Sequence, residues 1–218
     1  MLYDITPSIS ESLAVWPGDT PPSREVLLDM QKGDSLTLST LRATVHLGAH
    51  ADAPSHYGKD ACPIDRQPLE TYLGPCLVVK VNVPRGVCVD IDAWESGLHA
   101  LRAEGDPVES CAPRVLLATG TFPDPNQFNE DFAAISPELI DHLHGQGVQL
   151  VGIDTPSVDL FESKELPAHR RVLRQKMAIL EGLVLAEVPP GMYELIALPL
   201  KLVGFDASPV RAVLRTLD

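Results

Sequence analysis

Positive charge is scarce in this 218-residue chain: 17 lysines and arginines stand against 30 aspartates and glutamates, a formal net charge of −13. Phosphate backbones are bound by lysine and arginine displacing counterions, so nucleic acid is not an expected partner. Long hydrophobic runs are missing too. No apolar stretch approaches the ~20 residues that span a bilayer. The start Met1-Leu-Tyr-Asp-Ile also lacks the basic segment and apolar run of a secretory signal. These absences predict a cytoplasmic protein with no membrane partner. Cysteine is sparse, and Cys62, Cys76, Cys88 and Cys111 form no Cys-x-x-Cys pair. They are expected to be reduced and mostly buried, neither a disulfide framework nor a thiolate metal site. A Gly-x-Ser-x-Gly nucleophile setting and a glycine-rich phosphate loop are likewise absent.

What remains is ordinary globular material, 44% apolar and 22% charged, with 20 prolines against 15 glycines. That much proline favours turns over long helices. A chain of this size buries roughly 70% of its unfolded surface. Together these predict a sheet-rich α/β fold in a single domain, residues 1–218.

Along the chain, strands are expected at Leu2–Thr6 and near Glu25–Met30, the second following the turn cluster Trp16-Pro-Gly-Asp19 and Pro21-Pro22. From Leu36 to Val45 the sequence alternates, but the apolar parity switches midway, which suggests a bulge or bend before His46. Gly48 and Pro54 favour a shaped loop there, with at most a short helical turn. Cys76–Val83 reads as a strand, and a helix is expected from Asp90–Asp92 toward Arg102. The acidic stretch Ala103–Pro113 reads as an exposed connection. Arg114–Thr119 and Val148–Ile153 read as buried strands flanking a helix that Ser136 caps and Pro137 begins, an arrangement that predicts at least one parallel pair. A basic helical turn at His169–Gln175 then leads to strands at Ala178–Val188 and Tyr193–Leu198.

Three of the seven histidines fall within eleven residues, at His46, His50 and His56, with Asp52 among them. His46 and His50 share a helical spacing, whereas His50 and Asp52 share an extended one, and a bent loop can converge them on one ion. Imidazole and carboxylate without thiolate suit zinc, manganese or a similar divalent ion in an open catalytic site. A second ion needs ligands from elsewhere. His169 and Glu181 are the best candidates, although spacing alone leaves His99, His142, His144 and several acids in competition. Glu181 stands out because it interrupts the apolar run Met177–Ala186; buried there, it needs a metal or a basic side chain to neutralise it. Trp16 could be a core residue or a wide apolar face for a ligand.

Several segments, in order along the whole chain, carry a resemblance: Asp4-Ile-Thr-Pro7, Val15-Trp-Pro-Gly-Asp-Thr-Pro21, His46-x-Gly-x-His50-x-Asp52-x-Pro54-x-His56, Gly152-Ile-Asp-Thr-Pro-Ser-Val-Asp159, Ala168-His169, Ile179-Leu-Glu181-Gly-Leu, and Asp206-Ala-Ser-Pro-Val-Arg211. In these the sequence resembles the cyclase-like metal hydrolases, and within them the kynurenine formamidase branch. The resemblance implies a mixed, barrel-like β-sheet flanked by helices, of the swivelling β/β/α type, and a homodimer. By position it makes His46, His50, Asp52, His169 and Glu181 ligands of two divalent ions, zinc first and manganese, cobalt or cadmium as substitutes, with Asp52 as the bridge. His56 becomes the general acid/base and Trp16 the contact for an aromatic ring. The implied reaction is hydrolysis of N-formyl-L-kynurenine to L-kynurenine and formate, a step of tryptophan degradation. A related amide hydrolase acting on an isatin-like cyclic amide, or a metal-stabilised binding protein without turnover, are the alternatives. Two positions depart from the family pattern: Ala49 stands where threonine is usual, and Arg170 where a second histidine is common.

Overall fold

The computed structural model describes residues 1–103 and 111–217. The chain opens with β1 (Leu2–Asp4), an antiparallel ribbon of β2 (Ser23–Leu28) and β3 (Leu38–Arg42), the short β4 (His50–Asp52) and a single helical turn, α1 (Pro54–Tyr57). The middle comprises β5 (Leu73–Lys80), β6 (Cys88–Val89), α2 (Ile91–Ala103), β7 (Arg114–Ala118), β8 (Ala134–Ile135), α3 (Pro137–Gly145) and β9 (Leu150–Ile153). The last part holds α4 (Pro167–Gln175), β10 (Ala178–Glu181), β11 (Gly191–Ile196), β12 (Ala207–Pro209) and β13 (Val213–Thr216).

Nine strands join in the order β1-β13-β11-β5-β7-β9-β10-β4-β12, a mixed sheet curled into a half-barrel. Its centre is parallel, β5 to β7 to β9 to β10, as the strand–helix–strand pattern around α3 requires. The outer pairs are antiparallel, including β10 with β4 and β4 with β12. Helix starts follow their caps: Asp90 accepts from the Ala93 N–H and Ser136 from the Leu139 N–H.

The sheet buries both faces by alternation. Leu77, Val79, Val115, Leu117, Val151 and Ile179 pack with the helices, whereas Cys76, Val78, Leu116, Leu150, Ala178 and Leu180 pack together on the opposite face. That parity decides where the polar residues of β4 and β10 go. Asp52 opposes Ile179 and Glu181 opposes His50 across the ladder, so all of these lie on the face that the helices cover.

Three expectations need correction, and a fourth is untested. The strand expected at 178–188 ends at Glu181, because Gly182 turns with φ +65° and a Cβ there would lie 2.1 Å from the Gly48 carbonyl oxygen. Leu183 and Leu185 are buried beyond the strand's end, which explains why apolarity overextended it. The strand expected over 36–45 is confined to β3, and the irregularity falls on its partner, between Val26 and Leu28. Of the cysteines only Cys76 is fully buried; all four are free thiols. Residues 104–110 of the acidic stretch lie outside the described residues.

Candidate metal centre

Three elements meet at the β10–β4 pair. β4 supplies His50 and Asp52, two residues apart on one face; β10 ends in Glu181 directly opposite His50; α4 lowers His169 onto them. His46 comes from the bent segment before β4, and α1 carries His56. Asp52 sits at the middle. One of its oxygens, Oδ1, lies 3.1 Å from His46 Nδ1 and 3.5 Å from His50 Nε2, and the other, Oδ2, lies 3.3 Å from His169 Nε2. Glu181 reaches His50 Nε2 at 3.3 Å and His169 Nε2 at 3.6 Å, and its Oε1 accepts from the Val158 N–H at 2.7 Å.

Each of the three inner imidazoles is held from behind. His50 Nδ1 donates to the Gly48 carbonyl at 2.8 Å, His169 Nδ1 meets Asp159 Oδ2 at 2.7 Å, and His46 Nε2 meets Asp206 Oδ2 at 3.0 Å. This is the outer-shell arrangement that fixes a histidine's tautomer and aims its other nitrogen inward. Asp159 also accepts from the Ala168 and His169 N–H groups, at 2.9 and 3.1 Å, and so caps α4 where Leu166 offers no side-chain acceptor.

The inward atoms are left unsatisfied. His50 Nε2 and both Asp52 carboxylate oxygens are buried without a hydrogen bond. A buried unpaired carboxylate is costly, and among the described residues Asp52 and Glu181 form ion pairs with imidazoles alone. Two sets of potential ligand atoms lie within 4.8 Å of one another, His50–Asp52–Glu181 and His46–Asp52–His56, with Asp52 common to both. Nitrogen and carboxylate donors so arranged fit a divalent cation. Without one, protons take its place. Burial opposes charge on His46, but Asp52 and Asp206 outweigh it and raise the pKa from 6.5 to about 9. Burial is outweighed at His169 as well, by Asp159 and Asp52, and the pKa rises to about 10. Burial pushes the Asp52 carboxyl up, yet His169 and His46 hold it well below the usual range. Asp206 is shifted down too, burial being overcome by His46.

The centre floors a cavity of about 670 Å³. His46, His50, His56, His169 and Glu181 form the floor, and Trp16, Phe122 and Phe128 line it above. Trp16 is 37% exposed, with ring centroids 5.0 Å from Phe161 and 5.6 Å from Phe128, so it faces the cavity and is not an ordinary core tryptophan. Four of the chain's five phenylalanines gather here, Phe132 being the fourth.

Six of the seven residues singled out from sequence therefore line one cavity, and the seventh, Asp52, is buried behind them against His46, His50 and His169. His99 and His144 lie exposed on helices, and His142 pairs with Glu95 at 3.3 Å, away from the centre. Sequence reasoning gave no role to Asp206 or Asp159, although both stand in segments that carried the resemblance. It also passed over Phe122 and Phe128, whose signal was the concentration of phenylalanine between positions 122 and 132 in a chain only 5% aromatic.

The Cyclase family model matches residues 3–160, which stops short of His169 and Glu181. A potential metal-dependent hydrolase with cyclase activity is 27% identical, with a TM-score of 0.79 over 98% of this chain and 96% of its own. A predicted metal-dependent hydrolase from Bacillus stearothermophilus is 28% identical, with a TM-score of 0.76 over 98% and 97%. Isatin hydrolase A from Ralstonia solanacearum shares the fold at 20% identity, with a TM-score of 0.79 over 98% and 91%. With the family model spanning well over half of the sequence, the chain belongs to the Cyclase family.

Proposed function

We propose that the protein is a metal-dependent amide hydrolase that cleaves N-formyl-L-kynurenine to L-kynurenine and formate. The observation that carries this reading is the unsatisfied His50–Asp52 pair beneath a cavity with an aromatic wall, His50 lining the cavity and Asp52 buried behind it. His46, His50, Asp52, His169 and Glu181 would hold two divalent ions, zinc foremost, with Asp52 shared because its two oxygens face different histidines. When bound, such ions lower the pKa of water toward ~7 and polarise a carbonyl oxygen.

The chain's own residues do the rest. The His56 side chain is 34% exposed, where the four residues of α1 present it to the cavity. It takes the proton of the water whose oxygen bonds to the formyl carbon, then gives that proton to the aryl nitrogen as the C–N bond breaks. Trp16, Phe122 and Phe128 offer the flat apolar contacts that an aryl ketone ring needs.

An isatin-like cyclic aryl amide is the second reading, since isatin hydrolases share the fold and ring opening needs the same parts. Formate release from N-formyl-L-kynurenine, measured against isatin ring opening before and after chelation, separates the two. Faster formate release that chelation abolishes is expected; ring opening alone overturns the formamidase reading, and neither reaction leaves a metal-stabilised binding protein.

The assembly is proposed to be a homodimer. Every residue of β2 and β3 is exposed, Val26, Leu28, Leu38 and Leu41 included. A two-stranded ribbon without a core is marginal in water, and a second copy of the chain would cover it.

A further inference from the structure

Among the described residues, no group on α1 itself anchors the His56 ring. α1 is one turn long, its N-cap Ala53 makes no side-chain bond, and a proton carrier held so loosely would sample many orientations. The nearest fixed group comes from the opposite end of the sequence. Asp206 Oδ2, already 3.0 Å from His46 Nε2, lies 3.5 Å from His56 Nδ1. The second contact is longer than a good hydrogen bond, as base–orienter contacts commonly are before substrate arrives.

The backbone shows why the carboxylate stays there. Edge strand β12 pairs with β4 in the register Ala207↔Asp52, which sets Asp206 beside Ala53. The Asp206 carbonyl accepts from the Ala53 N–H at 2.8 Å, and the Ala53 carbonyl accepts from the His56 N–H at 2.9 Å. Carboxylate and imidazole thus hang from the same residue.

We propose that Asp206 is a positioning residue: it accepts the His56 Nδ1–H, fixes that tautomer, and leaves Nε2 as the atom that takes and returns the proton. The same oxygen anchors His46, so one carboxylate sets the relative placement of a metal ligand and the proton carrier. This rests on the hydrolase reading for its consequence in turnover, but its geometry does not.

Two measurements test it on the full chain. In the zinc-loaded protein, ¹⁵N–¹H correlation of the imidazoles is expected to show His56 protonated at Nδ1, and Asp206→Asn to lose that preference. In turnover, Asp206→Asn is expected to lower kcat roughly 10- to 100-fold with KM within about twofold and with bound metal unchanged, and Asp206→Glu to recover part of the loss. An unchanged His56 tautomer in Asp206→Asn overturns the proposal. So does a loss of activity that excess metal fully restores, since Asp206 would then serve His46 alone. If the wild-type protein cleaves no amide, the hydrolase reading fails, and the tautomer still decides the role of Asp206.

Discussion

At the β10–β4 pair, His50, Asp52 and Glu181 occupy positions the strands' alternation reserves for apolar side chains, His169 of α4 packs onto them, and all four are 3% exposed or less. In the β2–β3 ribbon the reverse holds: Val26, Leu28, Leu38 and Leu41 are between 39% and 63% exposed. One region is polar where it should be apolar, the other apolar where it should be polar. Each has room for an outside component, in the proposed reading an ion in the first case and a second copy in the second. The forces differ accordingly. Charges inside a low-dielectric site act strongly and demand sub-ångström placement, whereas apolar area yields about 25 cal/mol per Å² and tolerates rearrangement.

The sharpest way to break this contrast is to strike the centre. Asp52→Ala is expected to remove bound metal, measured by elemental analysis, and to abolish turnover. His56→Ala should retain its metal and lose about 10²- to 10⁴-fold in kcat; loss of metal instead would place His56 among the ligands, as its 4.8 Å grouping with His46 and Asp52 permits.

Damage to the ribbon should do something else. Leu41→Asp together with Val26→Lys is expected to shift a dimer to monomer in light scattering, each exposed apolar side chain being worth about 1.5–3 kcal/mol when fully covered. A monomeric wild type would remove the proposed partner.

Acidity separates the two regions further. His46 and His169 have pKa values raised from 6.5 to about 9 and about 10 in the metal-free protein. A raised value means that the stabilisation is complete below about pH 6.5 and disappears as pH climbs through those values. The melting temperature in chelator should therefore fall between pH 6.5 and 10, in the wild type and ribbon variants alike. A flat profile would contradict the proton-for-cation account. The smallest effect belongs to the cavity wall. Trp16→Ala should reduce kcat/KM about 2- to 12-fold, from 0.5–1.5 kcal/mol of ring contact.

Local periodicity made much of this legible. Spacing by two placed His50 and Asp52 on one face of an extended segment, and Glu181 was visible as a charge in an apolar run. The Ser136 cap marked α3, and the start of α2 fell within the expected Asp90–Asp92. What escaped is what depends on distant pairing. Asp206 reaches His46 across 160 residues through a three-residue edge strand, and no local pattern encodes that ladder. The early end of β10 escaped for a related reason: the close approach of Gly182 to Gly48 stops the strand, while the burial of Leu183 and Leu185 hides the stop from a hydropathy pattern.

The double duty of Asp159 carries one more consequence. Its carboxylate bonds the His169 ring and the first free N–H groups of α4 at once, so whatever tightens the ring's position steadies the helix start. Free energy linked in this way is reciprocal: fraying of α4 weakens ion retention by as much as ion retention suppresses fraying. Occupancy of the centre thereby becomes readable as slowed amide hydrogen exchange at Ala168 and His169, with no substrate in the tube.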